Sequence, residues 1–81
     1  MQLRYDSDAD VIFLTLRAAE GGEAGGQRLD DTRIAHLDRA GHVFAYEFLD
    51  VSRGVSLVGI DMEDASRIRE AIKPVTQLAV A

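Results

Sequence analysis

Two stretches of this chain read most clearly as extended segments with two distinct faces. In "DVIFLTLR", Asp10 to Arg17, the residues Ile12, Leu14 and Leu16 share one side of an extended backbone, while Val11, Phe13, Thr15 and Arg17 share the other. "QLRY" lies just upstream, across the tight turn Asp6-Ser7-Asp8-Ala9, so the two segments read as a hairpin. "TRIAHLD" and "HVFAYEFLD" form a second, clearer hairpin, whose turn Asp38-Arg39-Ala40-Gly41 puts Gly41 at the left-handed position of a three-residue loop. That turn predicts a register in which Leu37 faces Val43, Ala35 faces Ala45, and Arg33 faces Glu47 as an opposite-charge pair. On the other side His36 faces Phe44 and Ile34 faces Tyr46, with Phe48 continuing an aromatic row.

The segments around these hairpins carry different signals. "AAEGGEAGGQ" has four glycines between Gly21 and Gly26, which predicts a flexible loop over residues 18–27. "RLDD" can resume a strand after it. Gly54 and Gly59 bound a short apolar segment. The period then changes: Ala65, Ile68, Ala71 and Ile72 recur at helical spacing and predict a helix over about residues 62–73. Asp61 is placed to cap it, Glu63 and Asp64 add acid to its first turn, and Pro74 stops it. The final "VTQLAVA" predicts either a last strand or a docking tail. Strands first and helix last make an α+β domain spanning residues 1–81: a small antiparallel meander of about four strands with one C-terminal helix packed on a face.

Size and charge narrow the reading. A chain of 81 residues without cysteine buries only about 60–65% of its unfolded surface and has no disulfide to supplement that core. Self-association is a common remedy, so a homodimer is expected. The formal charge is −5, from 14 acidic and 9 basic residues, and the bases are scattered rather than clustered. Phosphate contacts supply much of nucleic-acid affinity, which sets this composition against a nucleic-acid binder. An acidic surface suits a basic protein partner instead. The N-terminus lacks the pattern of a signal peptide, and the longest apolar run, Val11 to Leu14, is too short for a bilayer. The cytoplasm is the expected compartment, with no membrane partner.

Little in the chain looks like chemistry. Asp6, Asp8 and Asp10 match the first three acidic positions of a calcium-binding EF-hand loop. The glycine position is then Val11 and the bidentate glutamate position is Arg17, so the metal reading fails. Aspartate side chains that accept their own downstream amides explain the pattern as turn chemistry. Gly21 and Gly26 have the outer spacing of a phosphate-binding P-loop, but Gln27-Arg28 follow where lysine and a hydroxyl residue belong. Glu47 is the leading carboxylate, flanked by Tyr46 and Phe48, because a desolvated glutamate can act as an acid or base. Its more ordinary role is the pair with Arg33. His36 reads as a core or edge histidine, and no partner stands at a spacing that completes a zinc site. No cofactor and no metal are expected.

Four motifs occur in order: Tyr5-Asp6 with Ala9-Asp10-Val11, the Asp30-Asp31 step, Asp38 with Gly41 and Val43, and Glu47-Phe48-Leu49-Asp50 with Ser52. Over about residues 3–53 the chain resembles the small prokaryotic domain of unknown function numbered 2283. It departs from that family at Thr32 and Ala45, where glycine is usual. The resemblance implies a small sheet-rich fold without an established activity. Some relatives are encoded beside small toxin-like proteins, which implies an antitoxin role. The expectation is therefore a homodimeric, non-enzymatic interaction module, antitoxin-like towards a basic protein. The alternatives are a small-ligand sensor using the groove between sheet and helix, and a small enzyme using Glu47 with His36 or Tyr46.

Overall fold

The computed structural model describes residues 1–75. Its strands are β1 (Gln2–Asp6), β2 (Val11–Thr15), β3 (Glu23–Asp30), β4 (Arg33–Asp38) and β5 (Val43–Leu49); the helix α1 (Met62–Ile72) follows. All neighbouring strands run antiparallel, in the order β1-β2-β5-β4-β3. The fold is α+β, with five strands where the sequence predicted about four. The expected last strand or tail falls on residues 75–81, of which 76–81 lie outside the described residues. No described helix is long and apolar enough to cross a membrane.

The additional strand is β3, and it corrects the expected flexible loop over residues 18–27. Only the first half of that segment is a turn; from Glu23 onward the chain pairs with β4, with register shifts on either side of Gly25–Arg28. Glycine weakens a strand's own preference, but the β4 edge supplies hydrogen-bond partners that a local reading does not see. Gly26 lies opposite His36, and a Cβ there would come within 3.3 Å of Ile34 Cγ2. The missing side chain is thus part of the fit.

The β4–β5 hairpin begins as predicted and then shifts. Gly41 sits at φ 86° and Leu37 pairs with Val43, but His36 pairs with Ala45, Ala35 with Tyr46, Ile34 with Glu47 and Arg33 with Phe48. Phe44 is the extra residue of a β-bulge, and a one-residue slip sends every later side chain to the opposite face. The physical reason lies in the core. An unbulged strand would have offered Ala45 and Glu47 to the helix. The bulge offers Tyr46, opposite the small Ala35, and Phe48 instead. Both aromatics join Ile12, Leu14, Leu16, Ile68 and Ile72 in one buried cluster. The expected Arg33–Glu47 pair dissolves in consequence, and the expected aromatic row splits: Phe44 stays beside His36 on one face, while Tyr46 stacks on Phe48 on the other.

Arg33, only 8% exposed, turns towards the helix-side layer. It pairs with Asp30 at 2.9 Å and donates to the carbonyls of Ser56 and Val58. One buried guanidinium thereby fastens the segment that delivers Val55, Leu57 and Ile60 to the core. In α1, Asp61 accepts the Asp64 amide at 3.2 Å, the expected cap. Ile68 and Ile72 are fully buried, and each stabilises the docked helix by about 1.5–3 kcal/mol.

Candidate functional site

The aspartates of the first turn have structural duties. Asp6 Oδ1 accepts the amides of Asp8 and Ala9, each at 3.0 Å. Asp10 adopts a left-handed backbone, and its carboxylate accepts the Ser52 amide and hydroxyl at 2.9 and 2.6 Å. It latches the first hairpin to the short 3-10 turn Val51–Arg53 that follows β5, a long-range role with no local sequence signal. Asp8 makes no side-chain hydrogen bond to a described residue. These three carboxylates do not converge on one point.

The expected catalytic candidates separate across the sheet. His36 and Glu47 are brought together on the face away from α1, with His36 Nε2 3.2 Å from Glu47 Oε1. Phe13 and Phe44 flank the imidazole, with ring centroids 5.0 and 6.5 Å away. His36 Nδ1 is buried without a hydrogen-bond partner among the described residues, 3.6 Å from Glu23 Oε2. Tyr46 lies on the opposite face with Phe48. A site combining Glu47 with Tyr46 is therefore not assembled.

Tyr46 instead lines an open cleft of about 520 Å³, between the β4–β5 turn and the start of α1. Burial pushes its phenol above its ordinary value, and the nearby Asp64 carboxylate adds to that rise. Its hydroxyl makes no hydrogen bond to any described residue, although the residue is 5% exposed. Glu20, Asp38, Asp61 and Asp64 all face this cleft, together with Arg17 and His42. Arg17 is already committed: it pairs with Asp64 and donates to the Val43 carbonyl.

Asp38 organises the turn end. Its carboxylate accepts the amides of Ala40 and His42 on Oδ1 and of Glu20 on Oδ2, at 2.9–3.0 Å. The His42 amide bond is the main reason its carboxyl is held below the usual range; burial opposes the effect, and the Glu20 and Ala40 amides add to it. The same bonds draw the chain after β2 against the hairpin turn. Glu20 Oε2 and His42 Nδ1 consequently lie 3.8 Å apart beside Asp38. Each of the three side chains offers a ligand atom within 4.8 Å of the others. Sequence reasoning saw Asp38 and Gly41 only as turn residues and missed this grouping. The available signal was a glycine turn at Gly21–Gly22 able to return Glu20 towards a second turn.

Comparison with protein-family models, curated proteins and solved structures finds no match.

Proposed function

We propose that this chain is a non-enzymatic interaction module that holds a basic protein partner, an antitoxin-like role, through the acidic cleft beside Tyr46. The observation that carries this reading is the imbalance of charge in a concave site. Four carboxylates face the cleft, and its one arginine is already paired within the chain. A lysine or arginine side chain from a partner would meet acids at both ends, with Val43 and the Tyr46 ring along the wall. Charge complementarity of this kind sets partner choice and encounter rate more than raw affinity. The net charge of −5 acts in the same direction at longer range.

The test is co-purification from the native organism, with stoichiometry by mass spectrometry, using the unaltered chain and a Glu20→Gln/Asp61→Asn variant. Asparagine caps helices about as well as aspartate, so this variant removes charge and leaves α1 capped. A small basic protein at fixed ratio, lost in the variant and retained in an Asp8→Asn control, is the expected result. Equal recovery with all three chains would reject the cleft as the binding surface.

The expected homodimer remains a second proposal. Its natural surface is the sheet face not covered by α1, where Val11, Phe13, Ile34 and Leu49 are only half-buried. Solution mass decides it, since a strict monomer at tens of micromolar would remove the dimer.

A further inference from the structure

We infer that Glu20, Asp38 and His42 form a binding site for a first-row transition dication of the zinc class. The proposal stands whether or not a basic partner uses the cleft. Three donors of suitable chemistry, two carboxylate oxygens and an imidazole nitrogen, lie within 4.8 Å of one another. Metal–ligand bonds of about 2.1 Å separate two donors on one ion by roughly 3–4 Å. The required contraction is therefore at most about 1–2 Å. It is available through side-chain rotation, because the Glu20 and His42 side chains are 74% and 68% exposed.

Asp38 supplies the fixed point of the site. It is 3% exposed, and its carboxylate orientation is set by three backbone amides. Ionised carboxylate oxygens offer about four lone-pair positions. Three are taken by those amides, leaving one, on Oδ2, for monodentate ligation. Such outer hydrogen bonds orient metal ligands and are part of what makes a site selective. Glu20 Oε2 and His42 Nδ1, at 3.8 Å, are too far apart for a hydrogen bond and at a fitting distance for two ligands of one ion.

A second, independent observation points into the same cleft. The Tyr46 side chain is 5% exposed, and its hydroxyl, which has no hydrogen-bond partner among the described residues, opens onto this space. A hydroxyl with no protein partner at a cleft wall takes its hydrogen bond from water or from a ligand held in the cleft. An ion held by three protein donors keeps open positions for water, which gives that hydroxyl something to bond. The imidazole selects against magnesium and calcium, which favour all-oxygen shells. The exposed ligands point to a modest affinity rather than a permanent structural ion.

The test is calorimetric titration of the untagged chain with Zn²⁺ alone and with Mg²⁺ alone, followed by the variants His42→Ala, Glu20→Ala and His36→Ala. One Zn²⁺ per chain, a weaker or absent Mg²⁺ response, at least about tenfold loss of Zn²⁺ affinity in His42→Ala and Glu20→Ala, and retention in His36→Ala are expected. Absence of Zn²⁺ binding would overturn the site, as would equal binding by His42→Ala. Loss in His36→Ala alone would move the ion to the sheet face and equally overturn it. His42→Ala leaves the acidic count of the cleft unchanged, so it separates failure here from failure of the basic-partner reading.

Discussion

The two faces of the sheet are built from the same alternating strands, yet they have become different materials. The face under α1 is closed. Ile12, Leu14, Leu16, Ala35, Tyr46 and Phe48 are nearly inaccessible there, and the buried Arg33 of β4 is hydrogen-bonded to Asp30, Ser56 and Val58. The other face keeps Val11, Phe13 and Ile34 half-exposed around the His36–Glu47 pair, with one imidazole nitrogen lacking a partner among the described residues. Alternation alone does not assign these roles. The bulge at Phe44 does, because it decides which residues of β5 meet the helix. The comparison teaches that one inserted residue in the central strand sorts packing from solvent-side chemistry.

Removing core volume should show the largest effect. Phe48→Ala deletes a ring that is 1% exposed, and it should cost about 3–5 kcal/mol in urea-melt stability. Phe13→Ala, the open-face counterpart, should cost clearly less. Equal losses would mean that the second face is as closed as the first.

Arg33→Ala comes next, at about 2–4 kcal/mol, because it strips a buried charge-assisted anchor from Asp30 and from the Ser56 and Val58 carbonyls. Glu47→Ala should cost under about 1 kcal/mol, as its partner is a single half-shielded imidazole. Had these two residues formed the pair predicted from the turn, their losses would be similar and coupled. An additive double mutant is the outcome that the bulged register requires.

These contrasts also mark how far the sequence was legible. The α+β order, the buried Ile12-Leu14-Leu16 side, the Gly41 turn and the Asp61 cap are local, and period or residue type exposes them. The Phe44 bulge is not, since inserting one residue leaves each half of β5 alternating normally and only the shared core chooses between registers. The end of β3 was readable in Arg28-Leu29-Asp30, but its first part was hidden because glycines argue against a strand until β4 is present to pair with them. The cleft was hidden for a related reason: Glu20 reaches Asp38 and His42 through backbone hydrogen bonds between two turns. Asp10 and Ser52 both appeared within motifs, but nothing local signalled that they touch.

Acid should sharpen the account of the Arg33 side. The Arg33 guanidinium, helped by the Thr32 amide, holds the Asp30 carboxyl below its ordinary value. A carboxylate depressed in the folded state stabilises above its unfolded pKa, near 3.9, and loses that contribution as pH falls through the folded value. Asp30→Asn should therefore lower stability at pH 7, and the gap from the unaltered chain should close below about pH 4. Denaturant melts across that range check it. A gap that persists undiminished at low pH would show that the carboxylate charge is not what Asp30 contributes.

The smallest expected effect tests the open face directly. His36 and Glu47 meet diagonally across β4 and β5 at 3.2 Å, partly shielded by Phe13 and Phe44. A His36→Ala/Glu47→Ala cycle should give a coupling of about 0.5–1 kcal/mol, the ordinary worth of one hydrogen bond away from bulk water. Coupling near zero would mean that solvent reaches the pair freely, and the second face would then be simply a surface. A coupling well above that range would instead require His36 Nδ1 and Glu23, 3.6 Å apart, to act with the pair as one unit. The triple substitution with Glu23→Ala separates those cases, because only in the second does removing Glu23 weaken the coupling between the other two.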